Sequence, residues 1–230
     1  MMRAAHVIAS VCLLSTATLA AAQALAPAGD WASYRDAYRA MVVFDKYGGP
    51  KNLLQQHLQV LPREKGVLDE GLQLALAGKT VQTSLALDPL GRTVLPLLKA
   101  AYDENAVLTP SRRIGAFALR SRVSIAPQAD NSYELSDLRG ACEQALGFAR
   151  HVDAAARSRQ CVGVRMVFAK KGAEAAVRVR AGNGAEQALA PAPYAGEIDA
   201  GFPSVTYRFG PEPARVITYG APLAIVPLFE

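Results

Sequence analysis

Two acidic residues near the end of the sequence could carry out acid–base chemistry. Glu197 and Asp199 are separated by one residue, and in an extended segment side chains two positions apart lie on the same face. Two carboxylates held across a sugar-binding cleft are sufficient for glycoside hydrolysis, and such a pair could also bind calcium. The surrounding glycine, alanine and proline residues indicate a loop, in which acids are ordinarily solvated. With His57 as a further candidate, this pair defines the alternative hypothesis of a small polymer hydrolase.

No other segment carries a recognisable catalytic or cofactor motif. The serine patterns Gly-x-Ser-x-Gly and Ser-x-x-Lys, which mark the nucleophile in several hydrolases, are absent from the sequence. The glycines at 48–49 and 182–184 lack the strand, loop and helix order with a following lysine that binds phosphate groups. His151 follows the predicted end of a helix, where the helix dipole favours a positive charge. The sequence therefore predicts no cofactor and no metal site, and it favours a non-enzymatic role.

Arginine residues occur in pairs with a spacing of two. Arg120 and Arg122 lie in one predicted strand and Arg178 and Arg180 in another, so each pair occupies one face of its strand. Valines alternate with the second pair and predict that those arginines point to solvent, because burying an unpaired ion is costly. If the two faces are adjacent, they form a basic surface that suits phosphate, sulfate or carboxylate groups. The alternative is a solvated face that binds nothing.

Residues 1–24 have the pattern of a secretory signal peptide. Arg3 supplies a positive charge, an uncharged apolar run covers residues 7–22, and alanines two positions apart precede the expected cleavage before Leu25. The run is too short and too rich in alanine, serine and threonine to span a bilayer. A lipoprotein anchored through Cys12 is the alternative, although the apolar run continues well past that cysteine. Because arginine outnumbers lysine, as in GC-rich bacteria, we expect a soluble bacterial protein in the periplasm or outside the cell.

The composition of the exported chain restricts its partners. The sequence has 25 basic residues against 20 acidic ones, and Arg3 leaves with the signal peptide. Nucleic acid is not expected as a partner, because this excess is small and no aromatic residues alternate with the arginine pairs. No later stretch is long and apolar enough to span a membrane. The leading hypothesis is an exported binding or assembly module for an anionic envelope polymer or another envelope protein.

The cysteine content agrees with an oxidising compartment. Once the signal peptide is removed, Cys142 and Cys161 are the two remaining cysteines, and a lone pair in an exported protein usually forms a disulfide. A two-cysteine metal site is the alternative, but the second closely spaced ligand pair of a structural zinc site is missing. Neither cysteine belongs to a Cys-x-x-Cys redox motif. The sequence therefore predicts a bridge between Cys142 and Cys161.

The elements that position these residues are predicted to form two units, the first of which covers residues 25–126. Apolar and aromatic residues at helical spacing between 31 and 42 indicate an amphipathic helix. Alternation then indicates a strand pair on either side of Gly78, a turn at Asp88–Gly91 and a strand from Arg92 to Leu97. We expect this unit to be a helix with a small antiparallel β unit, either a sandwich or a curled sheet.

The second predicted unit covers residues 127–230 and begins with a polar, turn-rich segment. Ser136 is expected to cap a helix that extends to about residue 150, and the disulfide would tie this helix to the strand beginning at Cys161. Asn183-Gly184 is the strongest hairpin signal of the chain, and residues 188–202 resemble a long connection. The whole chain is therefore expected to be α+β and β-rich, with a helix and antiparallel strands followed by a disulfide-tied helix and β-hairpins.

Overall fold

A computed structural model describes residues 31–62, 68, 70–170, 176–193 and 201–230. In these residues the α-helices are α1 (Tyr34–Asp45), α2 (Lys99–Asp103) and α3 (Leu135–Val152), and a 3-10 helix covers Ala154–Ala156. The strands are β1 (Ala32–Ser33), β2 (Leu54–Pro62), β3 (Gln73–Ala77), β4 (Gln82–Ala86), β5 (Arg92–Thr93), β6 (Val107–Pro110), β7 (Phe117–Ile125), β8 (Ser132–Glu134), β9 (Cys161–Val167), β10 (Val177–Ala181), β11 (Glu186–Leu189), β12 (Ala192–Pro193), β13 (Pro203–Arg208), β14 (Ala214–Thr218) and β15 (Ala224–Phe229).

The fold is α+β and β-rich, as the sequence predicted. The described strands form three antiparallel sheets. The N-terminal sheet has the order β1-β6-β3-β4, the C-terminal sheet has the order β11-β10-β14-β8, and the seven-stranded central sheet has the order β12-β13-β9-β15-β7-β2-β5. The central sheet takes strands from both sides of residue 126, and the division into units of 25–126 and 127–230 stays a prediction.

Helix α1 begins at Tyr34 because the preceding serine caps it. The Ser33 hydroxyl oxygen accepts a hydrogen bond from the Asp36 amide at 3.3 Å, which satisfies one of the free N–H groups of the first turn. The residues at helical spacing on one side of α1 are buried: Tyr34, Ala37, Met41 and Phe44. This face packs against β2 and β7, so the predicted amphipathic helix is confirmed, although it starts three residues after the tryptophan at position 31.

The hairpin and turn that follow agree with the alternation in the sequence. β3 and β4 pair across Gly78, and the Gly91 amide donates to the Asp88 carbonyl oxygen at 2.8 Å, which closes the predicted turn. The predicted strand from Arg92 to Leu97 is wrong in length, because β5 ends at Thr93. Pro96 lies in the remainder and has no N–H group to continue a ladder.

Helix α3 carries the predicted apolar face but not the predicted cap. It begins at Leu135, so Glu134 rather than Ser136 is the N-cap residue, and no side chain caps the helix. Its buried residues pack against β9, β7 and β15. The Cα atoms of Cys142 and Cys161 lie 6.0 Å apart, within the range of a disulfide. The disulfide-tied helix of the expected fold is therefore present.

The Asn183-Gly184 hairpin is also confirmed. Arg180 and Glu186 are paired residues of β10 and β11, and Gly184 adopts a φ of 85° in the turn between these strands, a conformation that glycine adopts without a steric penalty. The predicted long connection over 188–202 is only partly correct, since β11 continues to Leu189 and β12 lies within it. None of the helices in the described ranges is long and apolar enough to cross a membrane.

Candidate functional site: a basic face of the central sheet

The register of the central sheet determines which side chains share its two faces. Paired residues in an antiparallel sheet have side chains on the same face, and neighbours along a strand alternate. Ile125 and Ile225 are paired and lie in the main hydrophobic core, so the residues next to them point to the opposite face. This opposite face, called the basic face below, carries arginines from β5, β7, β9 and β13: Arg92, Arg120, Arg122, Arg165 and Arg208.

Strand β2 lies in the middle of one half of the basic face. Gln59 is paired with Arg120 of β7 on one side and with Arg92 of β5 on the other. His57 is paired with Arg122. The register therefore gathers three arginines around two polar residues of one strand. Of the predicted anion-binding residues, Arg120 is exposed and Arg122 is half-buried.

Arg92 is the buried member of this group, and Asp88 neutralises it. Its side chain is 7% exposed, and its Nε and Nη2 atoms donate to Asp88 Oδ2 at 2.9 and 2.7 Å. The other carboxylate oxygen of Asp88 accepts from the amides of Leu90 and Arg92. Arg92 also donates to the Leu223 carbonyl oxygen. The pair thus fixes the turn before β5 to the segment that leads into β15.

The surroundings of His57 favour its neutral form. Burial lowers the pKa of His57, the nearby positive charge of Arg92 lowers it further, and Asp88 opposes the shift. In the described part of the chain, His57 Nδ1 and Gln59 Oε1 are buried atoms without a hydrogen-bond partner. Gln59 Nε2, in contrast, donates to the Leu90 carbonyl oxygen at 2.8 Å.

The other half of the basic face combines charge with an apolar patch. Arg208 donates to a carboxylate oxygen of Glu230 at 2.6 Å, and this hydrogen bond lowers the pKa of Glu230. Arg165 is paired with Thr206 and lies 3.4 Å from its hydroxyl oxygen. Between these residues and the Asp88 turn lies a small buried cluster: Leu90, Val167, Phe202 and Ala224. Because these four side chains are at most 6% exposed, a ligand on this face would contact the exposed guanidinium groups and not the apolar cluster.

The second predicted arginine pair lies in a different sheet. Arg178 and Arg180 are exposed residues of β10 in the C-terminal sheet. Glu186 accepts hydrogen bonds from Arg180 at 2.8 and 2.6 Å and lies 3.5 Å from Arg178. The hydrogen bond from Arg180 lowers the pKa of Glu186. No local pattern places the two pairs relative to each other, and the structure puts them in two different sheets.

A row of four charged residues, with an acidic residue at each end, extends from this second pair across the C-terminal sheet. Arg180 is paired with Arg215 of β14, and Arg215 is paired with Glu134 of β8, to which it also donates a hydrogen bond at 2.6 Å. The row therefore reads Glu186, Arg180, Arg215 and Glu134 across the four strands. Each of its two arginines has a carboxylate partner within the row, so the charges of the row balance.

The carboxylate hypothesis is not tested by the structure. Glu197 and Asp199 lie outside the described residues, so their proposed role stays a prediction. Within the described ranges, no three histidine, cysteine, aspartate or glutamate residues lie close enough to hold a metal ion. His57 is surrounded by arginine, glutamine and the engaged carboxylate of Asp88.

No local pattern in the sequence connects Arg92, Arg165 and Arg208 with the first arginine pair. The alternation of residues within β9 indicates that Arg165 points away from the core residues of its own strand. This alternation is the local signal from which the position of Arg165 could be predicted. The strand order that joins β9 to β7 through β15 involves residues about a hundred positions apart, and no local pattern encodes such an order.

Comparisons with protein-family models, with curated proteins and with solved structures give no match. The functional interpretation therefore rests on the residues and the geometry of this chain.

Proposed function

We propose that this chain is an exported, non-enzymatic binding module and that its basic face binds an anionic polymer of the bacterial envelope. The observation that carries the proposal is the convergence of five arginines from four strands on one face of the central sheet. Guanidinium groups bind phosphate, sulfate and carboxylate groups through paired hydrogen bonds. A sheet face presents such groups at the regular spacing that a polymer with repeated charges can match.

Arg120 is the residue on which the proposal depends most. It is exposed, and no hydrogen bond or ion pair joins it to another described residue. Arg92 and Arg208, in contrast, are bonded to Asp88 and Glu230, and Arg122 and Arg165 have further interactions of their own. Arg120 can therefore supply a full bidentate contact, while Asp88 and Glu230 offset the charges of Arg92 and Arg208.

Export is the second part of the proposal. Its support is the signal-peptide pattern of residues 1–24 and the Cys142–Cys161 pair at disulfide distance. Bacterial disulfides form mainly in the periplasm and outside the cell, where anionic envelope polymers are abundant. Material secreted by a bacterial host should begin at Leu25. An intact mass that retained Cys12 with an attached lipid would contradict this part.

The test of binding compares two double variants of the mature protein. Arg120→Gln with Arg122→Gln removes two charges from the basic face, and Arg178→Gln with Arg180→Gln removes two charges at the same spacing from the C-terminal sheet. The probes are alginate for carboxylates, dextran sulfate for sulfates and polyphosphate for phosphates, with neutral dextran as the control. Dissociation constants are measured at low and moderate salt, because contacts with exposed arginines are screened above about 0.1 M.

We expect the first variant to bind its preferred polyanion at least about tenfold more weakly, because each charge-assisted hydrogen bond contributes roughly 1.5 kcal/mol or more. The second variant should bind like the wild type, because Glu186 already engages both of those arginines. Equal weakening by both variants would show a response to net charge alone and would overturn the assignment to the basic face. Absence of binding to all three polyanions by the folded wild type would overturn the proposed function.

A further inference from the structure

The edge strands of the three sheets differ in how well they are protected. An edge strand offers unpaired N–H and C=O groups, and proteins commonly block such edges by making the strand short or by placing charge or proline in it. β1, β5 and β12 have two residues each, β8 carries Glu134, and β11 carries Glu186. β4 has five residues and contains no charge, no proline and no glycine. It is the long, neutral edge among the described strands.

The hydrogen-bond pattern shows which groups of β4 point away from its sheet. The Val81 carbonyl oxygen accepts from Gly78 at 2.8 Å, and the Leu87 amide donates to Leu72 at 3.1 Å, so both residues bond toward β3. In an antiparallel ladder this direction alternates along the strand. The backbone groups of Gln82, Ser84 and Ala86 therefore point outward. β3 is the strand that pairs with β4 in the described part of the chain.

We propose that β4 pairs with β4 of a second copy of this chain, antiparallel and in register at Ser84, to form a symmetric dimer. In this register Ser84 lies on the two-fold axis and faces Ser84 of the second copy, and each exchanges an N–H and a C=O bond with the other. Gln82 faces Ala86 of the second copy in the same way. Two four-stranded sheets then become one continuous eight-stranded sheet.

The chemistry of the strand fits a second copy of itself. When two identical strands pair about a two-fold axis, the residue on the axis faces the same residue of the second copy. A charged residue at that position would therefore face a like charge. Ser84 is small and neutral, and the flanking pairs join Gln82 to Ala86 and Thr83 to Leu85. Gln82, Thr83, Ser84 and Ala86 are all exposed, and the segment from Thr80 to Leu87 contains no charged residue. Like charges therefore meet nowhere along the paired strands.

Charge swaps at the two-fold position test the proposal. Ser84→Lys and Ser84→Glu each place like charges directly opposite in the dimer, whereas a mixture of the two variants places opposite charges there. Thr109→Lys and Thr109→Glu are the matched controls, because Thr109 is exposed on the interior strand β6 of the same sheet. Light scattering coupled to size exclusion measures the mass of the mature protein over a range of concentrations.

We expect the wild type and both Thr109 variants to reach twice the mass of one chain as concentration rises. Each Ser84 variant alone should stay at half of that mass, and the mixture should regain the double mass. In the wild-type dimer, the amide hydrogens of Gln82, Ser84 and Ala86 should exchange with solvent at least tenfold more slowly than in dilute protein, where the chains are separate. The exchange rates of Thr83 and Leu85 should be the same in both states. A wild type that remains a single chain at all concentrations, or a dimer that the Ser84 variants leave intact, would overturn the proposal. The proposal would also be overturned if the β4 amides were protected from exchange only when an extended segment of another protein is bound.

Discussion

His57 shows how a single side chain responds to the charges that the strand register places around it. It lies between Arg122 on β7 and the Asp88–Arg92 pair beside β5. Burial and the positive charge of Arg92 both disfavour the imidazolium form, and the one nearby carboxylate is already engaged by Arg92. The neutral imidazole is therefore the form that the folded protein stabilises.

This state of His57 predicts a loss of stability in mildly acidic solution. The folded-state pKa of His57 lies below the ordinary value of 6.5, so the unfolded chain binds the proton more readily. The contribution of His57 to stability is complete above the unfolded pKa and is lost as the pH falls through the folded pKa. We expect the unfolding free energy from urea denaturation to fall as the pH drops below about 6.5, before the range in which carboxylates become protonated is reached.

The His57→Gln variant should show a smaller fall over the same range. His151→Gln is the matched control, because that histidine is exposed at the end of α3, and it should keep the wild-type dependence. A wild-type fall that persists unchanged in His57→Gln would assign the effect to other groups.

Helix α3 is held in place by apolar packing and by one covalent link. Its buried residues contact β9, β7 and β15, and Cys142, which is fully buried, lies at disulfide distance from Cys161 at the start of β9. The 3-10 helix Ala154–Ala156 lies within the loop that this link closes. Because the loop is short, the link restrains the unfolded chain only over the segment between the helix and the strand.

The disulfide should stabilise the protein by an amount set mainly by the length of its loop. Closing about 20 residues restrains the unfolded chain and contributes roughly 3 kcal/mol. We expect the double variant Cys142→Ser with Cys161→Ser to unfold at a lower temperature and with about that loss in unfolding free energy. A reducing agent should lower the melting temperature of the wild type and leave that of the variant unchanged. Two titratable thiols in the unfolded, unreduced wild type would contradict the pairing.

Local patterns were sufficient for most elements and insufficient for their arrangement. The apolar spacing around Met41 and around Cys142 predicted α1 and α3, and the Asn183-Gly184 pair predicted a hairpin, because each depends on neighbouring residues. The cap of α3 was wrong because Glu134, the residue before the helix, ends a strand that pairs with the distant β14. The length of β5 was wrong because Pro96 has no N–H group to continue a ladder. The basic face depends on the strand order of the central sheet, which is set by packing between remote segments.

The whole molecule is joined through the core beneath the central sheet. The largest hydrophobic cluster contains Phe44, Leu54 and Ile125 from the first predicted unit together with Met166 and Ile225 from the second. A second cluster lies between α1 and the N-terminal sheet, and it includes Leu58 of β2. Because β2 supplies residues to both clusters, loss of packing in one part of the molecule weakens the other.

This shared core predicts that the two units unfold together. Met166 is 1% exposed and lies in β9, and Met166→Ala should cost about 2–5 kcal/mol because it leaves a cavity. Trp31 is the single tryptophan of the chain and reports on the first unit. In urea, we expect Trp31 fluorescence and far-UV circular dichroism to change together, and Met166→Ala should shift both midpoints equally.

Arg157→Ala, an exposed change in the second unit, is the control for this coupling and should leave both midpoints near the wild-type values. The comparison distinguishes one cooperative structure from two neighbouring ones, because Met166 and Trp31 belong to different predicted units. If the units were independent, the cavity at Met166 would shift the dichroism signal of the second unit, and the fluorescence midpoint of Trp31 would stay in place. A shift of the fluorescence midpoint that matches the dichroism would instead show that the central sheet makes residues 31–230 a single folding unit.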